Sequence, residues 1–149
     1  GVIMRRVTER AVLFGEAMVV NDDLWRQHHL ELGEDVVERF TFAQAVGPAE
    51  LGFARARREP WRQELAEVFG RVGVIALPAM TSYPPRLGEH ATAPNRAAAP
   101  VNLAGHPAVV IPVPSGGVFP AGLQLVAPDH HEPRLLATAA LIEAAVAPR

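Results

Sequence analysis

The sequence predicts an α/β fold, with helices gathered in residues 1–72 and strands in residues 73–149. Two observations carry this prediction. Apolar side chains recur at three- and four-residue steps through most of the first 71 residues, which is the period of helices with one buried face. The second half breaks into short apolar runs bounded by Gly and Pro, at residues 74–77, 108–113 and 121–126, which read as strands.

The first helix is expected from Thr8 to about Leu32. Ala11, Val12, Phe14, Gly15, Met18, Val19 and Leu24 lie on its apolar stripe, and Glu9, Glu16 and Arg26 fall between them. Thr8 suits the N-cap, with Glu9 in the first turn. A break near Gly33 precedes a short helix over residues 35–45. Gly47-Pro48 is a stop-and-restart signal, with Pro48 fitted to the first turn of the next helix. That helix reaches about Arg71 along Leu51, Ala54, Trp61, Leu65, Val68 and Phe69, with Arg58 interrupting the stripe. Pro60 lies inside it and predicts a kink or a break.

Residues 78–100, rich in Pro, Ala, Thr and Gly, read as one long loop, a kind of segment that is commonly functional or disordered. The second and third strands are joined by the turn Pro114-Ser115-Gly116-Gly117, and this closeness predicts antiparallel pairing. A closing helix over residues 133–146 aligns Leu135, Leu136, Ala139, Ile142 and Val146 on one face. The first two strands are apolar at every position, as in strands covered on both faces. Three short strands cannot close a sheet, so an edge must face something, and more sheet is expected beside it.

Composition narrows the function. A chain of 149 residues can bury roughly 68–70% of its unfolded surface. With 49% hydrophobic and 20% charged residues it reads as globular. A net charge of −2 argues against a general nucleic-acid binder. The absence of Cys excludes disulfides, thiolate chemistry and zinc–thiolate sites. No apolar run approaches the roughly 20 residues of a membrane span, and residues 1–6 are too short a run for a secretory signal. A cytoplasmic protein without membrane partners is expected. Residue 1 is Gly rather than Met, as in a piece cut from something longer, although Met4 would serve as a start. All 14 basic residues are Arg. Arg stays protonated and cannot act as a general base, so no mechanism needing a lysine base runs on these residues alone.

The segment Pro100-Val101-Asn102-Leu103-Ala104-Gly105-His106-Pro107-Ala108-Val109-Val110-Ile111-Pro112 resembles a stretch near the C-terminus of amidase-signature enzymes, where Asn-Leu-(Ala or Thr)-Gly-x-Pro-Ala runs into a strand ending in Pro. Pro120-Ala121-Gly122-Leu123-Gln124-Leu125-Val126 is similar to that family's Pro-Val-Gly-Leu-Gln-Leu strand. Glu132, Leu135-Leu136 and Glu143 match its closing helix. Upstream, Phe69 to Pro78 is similar to the family's Phe…Asp-x-Leu-x-x-Pro, with Arg55, Arg57 and Arg58 where its helix carries Arg. The likeness runs in order over roughly residues 50–147. It implies that residues 1–149 are the C-terminal portion of a single amidase domain, contributing part of a mixed β-sheet flanked by helices. Physically, Gly105 permits an unusual backbone angle between turn and strand. Asn102 can brace the turn through its own backbone, and Pro107 and Pro112 bracket the strand. These residues, with Gly122 and Gln124, are read as structural.

The resemblance also implies amide hydrolysis by a serine nucleophile, a second serine and a lysine base, held in the family's N-terminal half with a Gly/Ser-rich stretch that stabilises the oxyanion. Here the only serines are Ser82 and Ser115, and there is no lysine. No catalytic residue, metal or cofactor is therefore assigned to this chain. The expected partner is the N-terminal half of the fold, with a small amide as substrate of the complete enzyme. By resemblance, the loops over residues 79–83 and 93–101 border the substrate cleft, which makes Met80, Thr81 and His106 the candidates for substrate contact.

Rival chemistry is weaker. No Gly-x-Ser-x-Gly elbow supports a Ser–His–Asp triad. Adjacent histidines on a helix, as in His28-His29 or His130-His131, point about 100° apart and do not converge on one metal ion. Arg55-Ala56-Arg57-Arg58 is followed by Glu59, Glu64 and Glu67, the pattern of a mixed-charge solvated face rather than a phosphate site. The family pattern's aspartate before the first strand is Gly73 here. Asn95-Arg96-Ala97-Ala98-Ala99 departs from the acidic residue and Thr of the branch that amidates glutamyl-tRNA, which favours a general amidase over that amidotransferase's A subunit. A non-catalytic remnant acting as an interaction module is the other alternative.

Overall fold

A computed structural model of the chain describes residues 2–84, 86–88, 97–117 and 119–146, with residues 2–10 described by backbone alone. The elements run α1 (Val2–Val20), α2 (Asp22–His28), a 3-10 turn (His29–Glu31), α3 (Glu34–Ala45), α4 (Pro48–Phe69), β1 (Ile75–Pro78), α5 (Ala99–Ala104), β2 (Ala108–Val113), β3 (Ala121–Val126) and α6 (Glu132–Val146). The chain divides into two compact units, residues 1–61 and residues 62–149.

The first unit is helical. Thr8 is not its N-cap, because α1 begins six residues earlier. The expected single helix to Leu32 parts at Asn21, whose side-chain amide donates to the Ala17 carbonyl at 2.7 Å and offers the backbone an alternative partner. Ala11, Val12, Phe40, Ala43 and Ala54 are buried. Phe14 meets Phe42 edge-on with centroids 5.9 Å apart, and Trp25 meets Phe40 at 5.6 Å. Gly15 lets Leu51 approach, since a Cβ there would stand 3.2 Å from its Cδ1. α4 continues through Pro60 without the expected break, and the division between units falls one residue later.

The second unit is built on β3. It pairs antiparallel with β1 on one side and β2 on the other, giving the order β1-β3-β2. The antiparallel pairing of β2 and β3 is as expected. α6 lies on one face, chiefly over β2. There Leu135 and Ala139 close a core with Ile111, Leu125 and Ala127, flanked by Val74, Val109, Val113, Leu123 and Ile142. Leu136, expected on that face, is instead 59% exposed, because its position next to Leu135 turns it about 100° away.

The two apolar strands are not covered on both faces within the described residues. In β2, Val109, Ile111 and Val113 turn toward α6, while Ala108, Val110 and Pro112 are exposed. β1 also alternates, with Ala76 and Pro78 exposed.

The long loop expected to reach residue 100 gives way at Ala99 to α5, which carries Asn102 within a helix. Asn102 is exposed and its backbone carbonyl, rather than its side chain, serves the turn by accepting the Gly105 N–H. Gly105 itself is left-handed at φ 77°, ending the helix as a glycine does most readily. Pro107 precedes β2, but Pro112 lies inside it rather than closing it.

Gly122 occupies the tightest place in the sheet. A Cβ there would stand 2.9 Å from the Ala79 Cβ and 3.3 Å from Val110 Cγ1. The Ala79 carbon is fixed to backbone and has no rotamer by which to withdraw. Gly122→Ala should therefore destabilise the second unit by roughly 1–3 kcal/mol, the usual range for overpacking. Gly52→Ala, in a helix with nothing within 4 Å, should stabilise by up to about 1 kcal/mol. Thermal melts of the two variants against the parent check both signs.

Candidate functional site

The densest polar constellation among the described residues gathers where β2 begins and β3 ends. The left-handed turn at Gly105 delivers His106 directly before β2, whose entry is fixed by the Ala127 N–H donating to the Pro107 carbonyl at 3.1 Å. Beyond β3 the chain turns through Pro128, with the His131 N–H on the Pro128 carbonyl at 3.2 Å and His130 at φ 64°. This turn sets Asp129 opposite His106. Arg62 reaches in from α4.

Asp129 is shared between two donors. Its Oδ1 lies 2.7 Å from His106 Nδ1, and its Oδ2 accepts from Arg62 Nη2 at 2.8 Å. A carboxylate only accepts, so the proton of the first contact is on Nδ1. Arg62 Nη1 also donates to the Ala104 carbonyl at 3.0 Å, satisfying a helix-end acceptor of α5. The Phe69 ring meets the imidazole edge-on at 5.1 Å. The His106 side chain is only 7% exposed, and its Nε2 is closed off without a hydrogen-bond partner among the described residues. Beside it is a shallow depression of about 360 Å3 lined by Gly105, His106, Pro107, Asp129, His130 and Glu132.

The carboxyl of Asp129 is held below its ordinary range. Burial alone would raise it, but the His106 hydrogen bond and charge, with the Arg62 guanidinium, outweigh that effect.

An oriented Asp–His pair supplies two members of a nucleophilic triad, but among the described residues no serine stands at this end. Met80, Thr81, Ser82 and Ser115 all lie toward the opposite end of β3. Ala79 bonds through its N–H to Gly122, and β2 ends at Val113 opposite Ala121. The length of β3 separates the two ends by roughly 17 Å. Ser115 is committed to its turn: its hydroxyl donates to the Phe119 carbonyl and accepts from the Gly117 N–H at 3.2 Å. Nearby, the Tyr83 and Phe119 rings lie 6.2 Å apart.

The structure therefore places Met80 and Thr81, both exposed, at one end of the sheet and His106 at the other. It does not bring the three together. Gly105 and Pro107 line the same depression as His106, Asn102 lies on α5, and Gly122 and Gln124 lie along β3. The cleft segment expected at residues 93–96 falls outside the described residues. Sequence reasoning missed Arg62 and Asp129. Their only signals were a cation on α4 and an acid a few residues after a strand. The tandem histidines form separate local contacts: His28 Nδ1 lies 2.9 Å from Glu31 Oε1, and His131 Nδ1 lies 2.9 Å from the Asp129 carbonyl. Arg55 reaches Glu16 at 3.3 Å and Arg57 lies over the Phe53 ring, as a mixed-charge face does.

Because the folded pKa of Asp129 is depressed, its contribution to stability is present above the unfolded value of about 3.9 and fades as pH falls through the lower folded value. Asp129→Asn should therefore lower the melting temperature at pH 6–7. It should also flatten the loss of stability below about pH 4, as melts across that range would read.

The model of the family described as Amidase matches residues 14–136. The A subunit of a glutamyl-tRNA(Gln) amidotransferase from Halobacterium salinarum is 32% identical over 122 residues, covering 74% of this chain and 29% of the relative. Its counterpart from Natranaerobius thermophilus is 29% identical over 146 residues, covering 89% and 30%. Among solved structures, an amidase superposes with a TM-score of 0.84 at 23% identity, covering 93% of this chain and 34% of its own. A bacterial aryl acylamidase of the amidase signature family does so with a TM-score of 0.72 at 16% identity, covering 95% and 33%. At these identities the superpositions establish the fold. The chain spans about a third of the length of the relatives it matches. On the family match over most of its length, the chain belongs to the amidase family.

Proposed function

We propose that this chain is the C-terminal portion of an amidase-family hydrolase that cleaves the carbon–nitrogen bonds of linear amides. In this reading a serine nucleophile, a second serine and a lysine base reside on polypeptide other than these residues. The observation that carries it is the combination of family membership with a missing base: the 149 residues hold no lysine. Ser115 is tied to its turn, and the buried, carboxylate-oriented imidazole of His106 lies at the far end of the sheet from both serines.

The chain's own contribution is scaffolding. β3 and its partners supply part of the sheet. The His106–Asp129–Arg62 cluster ties α4, α5 and the β3–α6 turn together at one end. In this reading Met80 and Thr81, exposed at the other end, border the substrate of the complete enzyme. His106 is roughly 17 Å away by the strand rise, so one small amide does not touch all three.

A reading as the A subunit of a glutamyl-tRNA amidotransferase draws support from the names of the two curated relatives. The segment Asn95-Arg96-Ala97-Ala98-Ala99 lacks that branch's acidic residue and Thr, which favours the general amidase.

The purified chain should show no hydrolysis of a small linear amide above the uncatalysed rate. Adding the N-terminal two-thirds of a full-length amidase should raise the rate by on the order of 10⁶-fold, the lower range of enzymatic acceleration. Turnover by the isolated chain would overturn the proposal, and an absence of gain would favour a non-catalytic interaction module.

A further inference from the structure

We infer that Tyr83 and Phe119 form the part of the substrate site that receives an aromatic ring, so that the amides the complete enzyme prefers carry one. This rests on the reading of the chain as the C-terminal portion of an amidase, and it names the substrate class and two residues that select it.

Both rings hang from one frame, at the end of the sheet where β1 leaves and β2 turns into β3. Ala79, directly after β1, donates its N–H to the Gly122 carbonyl at 2.8 Å, and Val113 closes β2 opposite Ala121. Each ring-bearing residue is followed by a proline, Pro84 or Pro120, which disfavours helical backbone and narrows its range. The turn is braced by Ser115, whose hydroxyl donates to the Phe119 carbonyl and accepts from the Gly117 N–H at 3.2 Å. The Tyr83 hydroxyl reaches the same turn, 3.5 Å from where a Cβ at Gly117 would stand.

The rings are placed but not packed. Their centroids lie 6.2 Å apart with planes 43° apart, so neither covers the other's face. Tyr83 is 55% exposed and Phe119 53%, and neither belongs to the core that α6 closes over the sheet. Folding gains little from two large rings left more than half in water. Exposed rings on ordered backbone make a binding surface, because a group fixed before its ligand arrives loses little freedom on binding.

The chemistry of these two segments selects the occupant. Residues 79–84 and 113–120 contain no Asp, Glu, Lys, Arg or His, so they offer nothing to pair with a charged group. A third ring can meet two tilted ones edge-on or offset, at the usual 4.5–7 Å between centroids. A short aliphatic group gains only from the area it buries. Met80, on the same loop and 44% exposed, adds a thioether, which also contacts aromatic rings favourably. The substrate that fits is a neutral amide with a ring on its acyl side or its amine side.

Tyr83 is the chain's single tyrosine, so its ring signals in an NMR spectrum report on the site without ambiguity. Benzamide carries a ring on the acyl side, acetanilide carries one on the amine side, and acetamide is the ringless control. Titrated into the chain, one or both ring-bearing amides should shift the Tyr83 signals and acetamide should not. Phe119→Ala should abolish the shift. In the chain combined with the N-terminal two-thirds of a full-length amidase, Tyr83→Ala and Phe119→Ala should each lower kcat/KM for the ring-bearing amide, relative to acetamide, by about tenfold and chiefly through KM. Tyr83→Phe, which keeps the ring, should keep the ratio. Tyr83→Leu and Phe119→Leu serve should an alanine variant fail to fold. A shift without hydrolysis would leave the aromatic site standing and remove the proposed function. Hydrolysis with an unchanged ratio, or with equal losses on all three amides, would overturn the site and leave the proposed function standing. Tyr83 signals that respond to the N-terminal portion and to no amide would also overturn it, since polypeptide would then cover the rings. Neither shift nor hydrolysis would remove both readings.

Discussion

The second unit depends on β3 being paired along both of its edges at once. A strand with one partner is marginal in water, and three strands carrying one buried face are the smallest sheet that holds itself. That requirement explains Gly122, where the flanking Ala79 and Val110 leave no room for a Cβ. It also explains the placement of Pro78 and Pro112, each on the side of its strand that faces away from β3. The helix follows from the sheet. Leu135 and Ala139 of α6 have an apolar surface to cover only because Ile111 and Leu125 are held in register beneath them.

Element types were legible in the sequence wherever periodicity was strong. The three strands and the closing helix are where the apolar runs placed them, because short runs bounded by Gly and Pro mark strands and a 3.6-residue period marks a helix with one buried face. Ends and breaks were harder to read. Asn21 interrupts the first helix through a side-chain bond that no pattern of apolar residues reveals. α5 was hidden in a segment rich in Ala and Pro, and only the Gly105 stop at its end marked it. Pro60 misled in the opposite direction: an exposed proline removes one helical bond but need not end the helix when its neighbours stay packed.

The candidate site was legible only in part, for a different reason. His106 stood out through its motif, but its partners come from 44 positions earlier and 23 later, at Arg62 and Asp129. Long-range charge pairing has no local signature. The same holds at Gly73, where the family pattern has an acid. The Arg134 guanidinium carbon stands 2.8 Å from where a Cβ at residue 73 would be, so a side chain from α6 fills the space that glycine leaves. Where the family pattern has an acid, the fold here packs a cation against the backbone.

Gln124 joins these observations. It is only 2% exposed, and among the described residues its side-chain oxygen has no donor, an arrangement that is unfavourable for a buried acceptor. It stands opposite Val110 in the β3–β2 register and so shares its face, the one turned away from α6. An orphaned buried acceptor and an exposed valine are both unfavourable, for opposite reasons: one lacks a polar partner and the other an apolar cover. On that face Gln124 and Val126 of β3 are covered, at 2% and 1% exposure, while Val110 of β2 stays open, so the cover over β3 ends before it reaches β2.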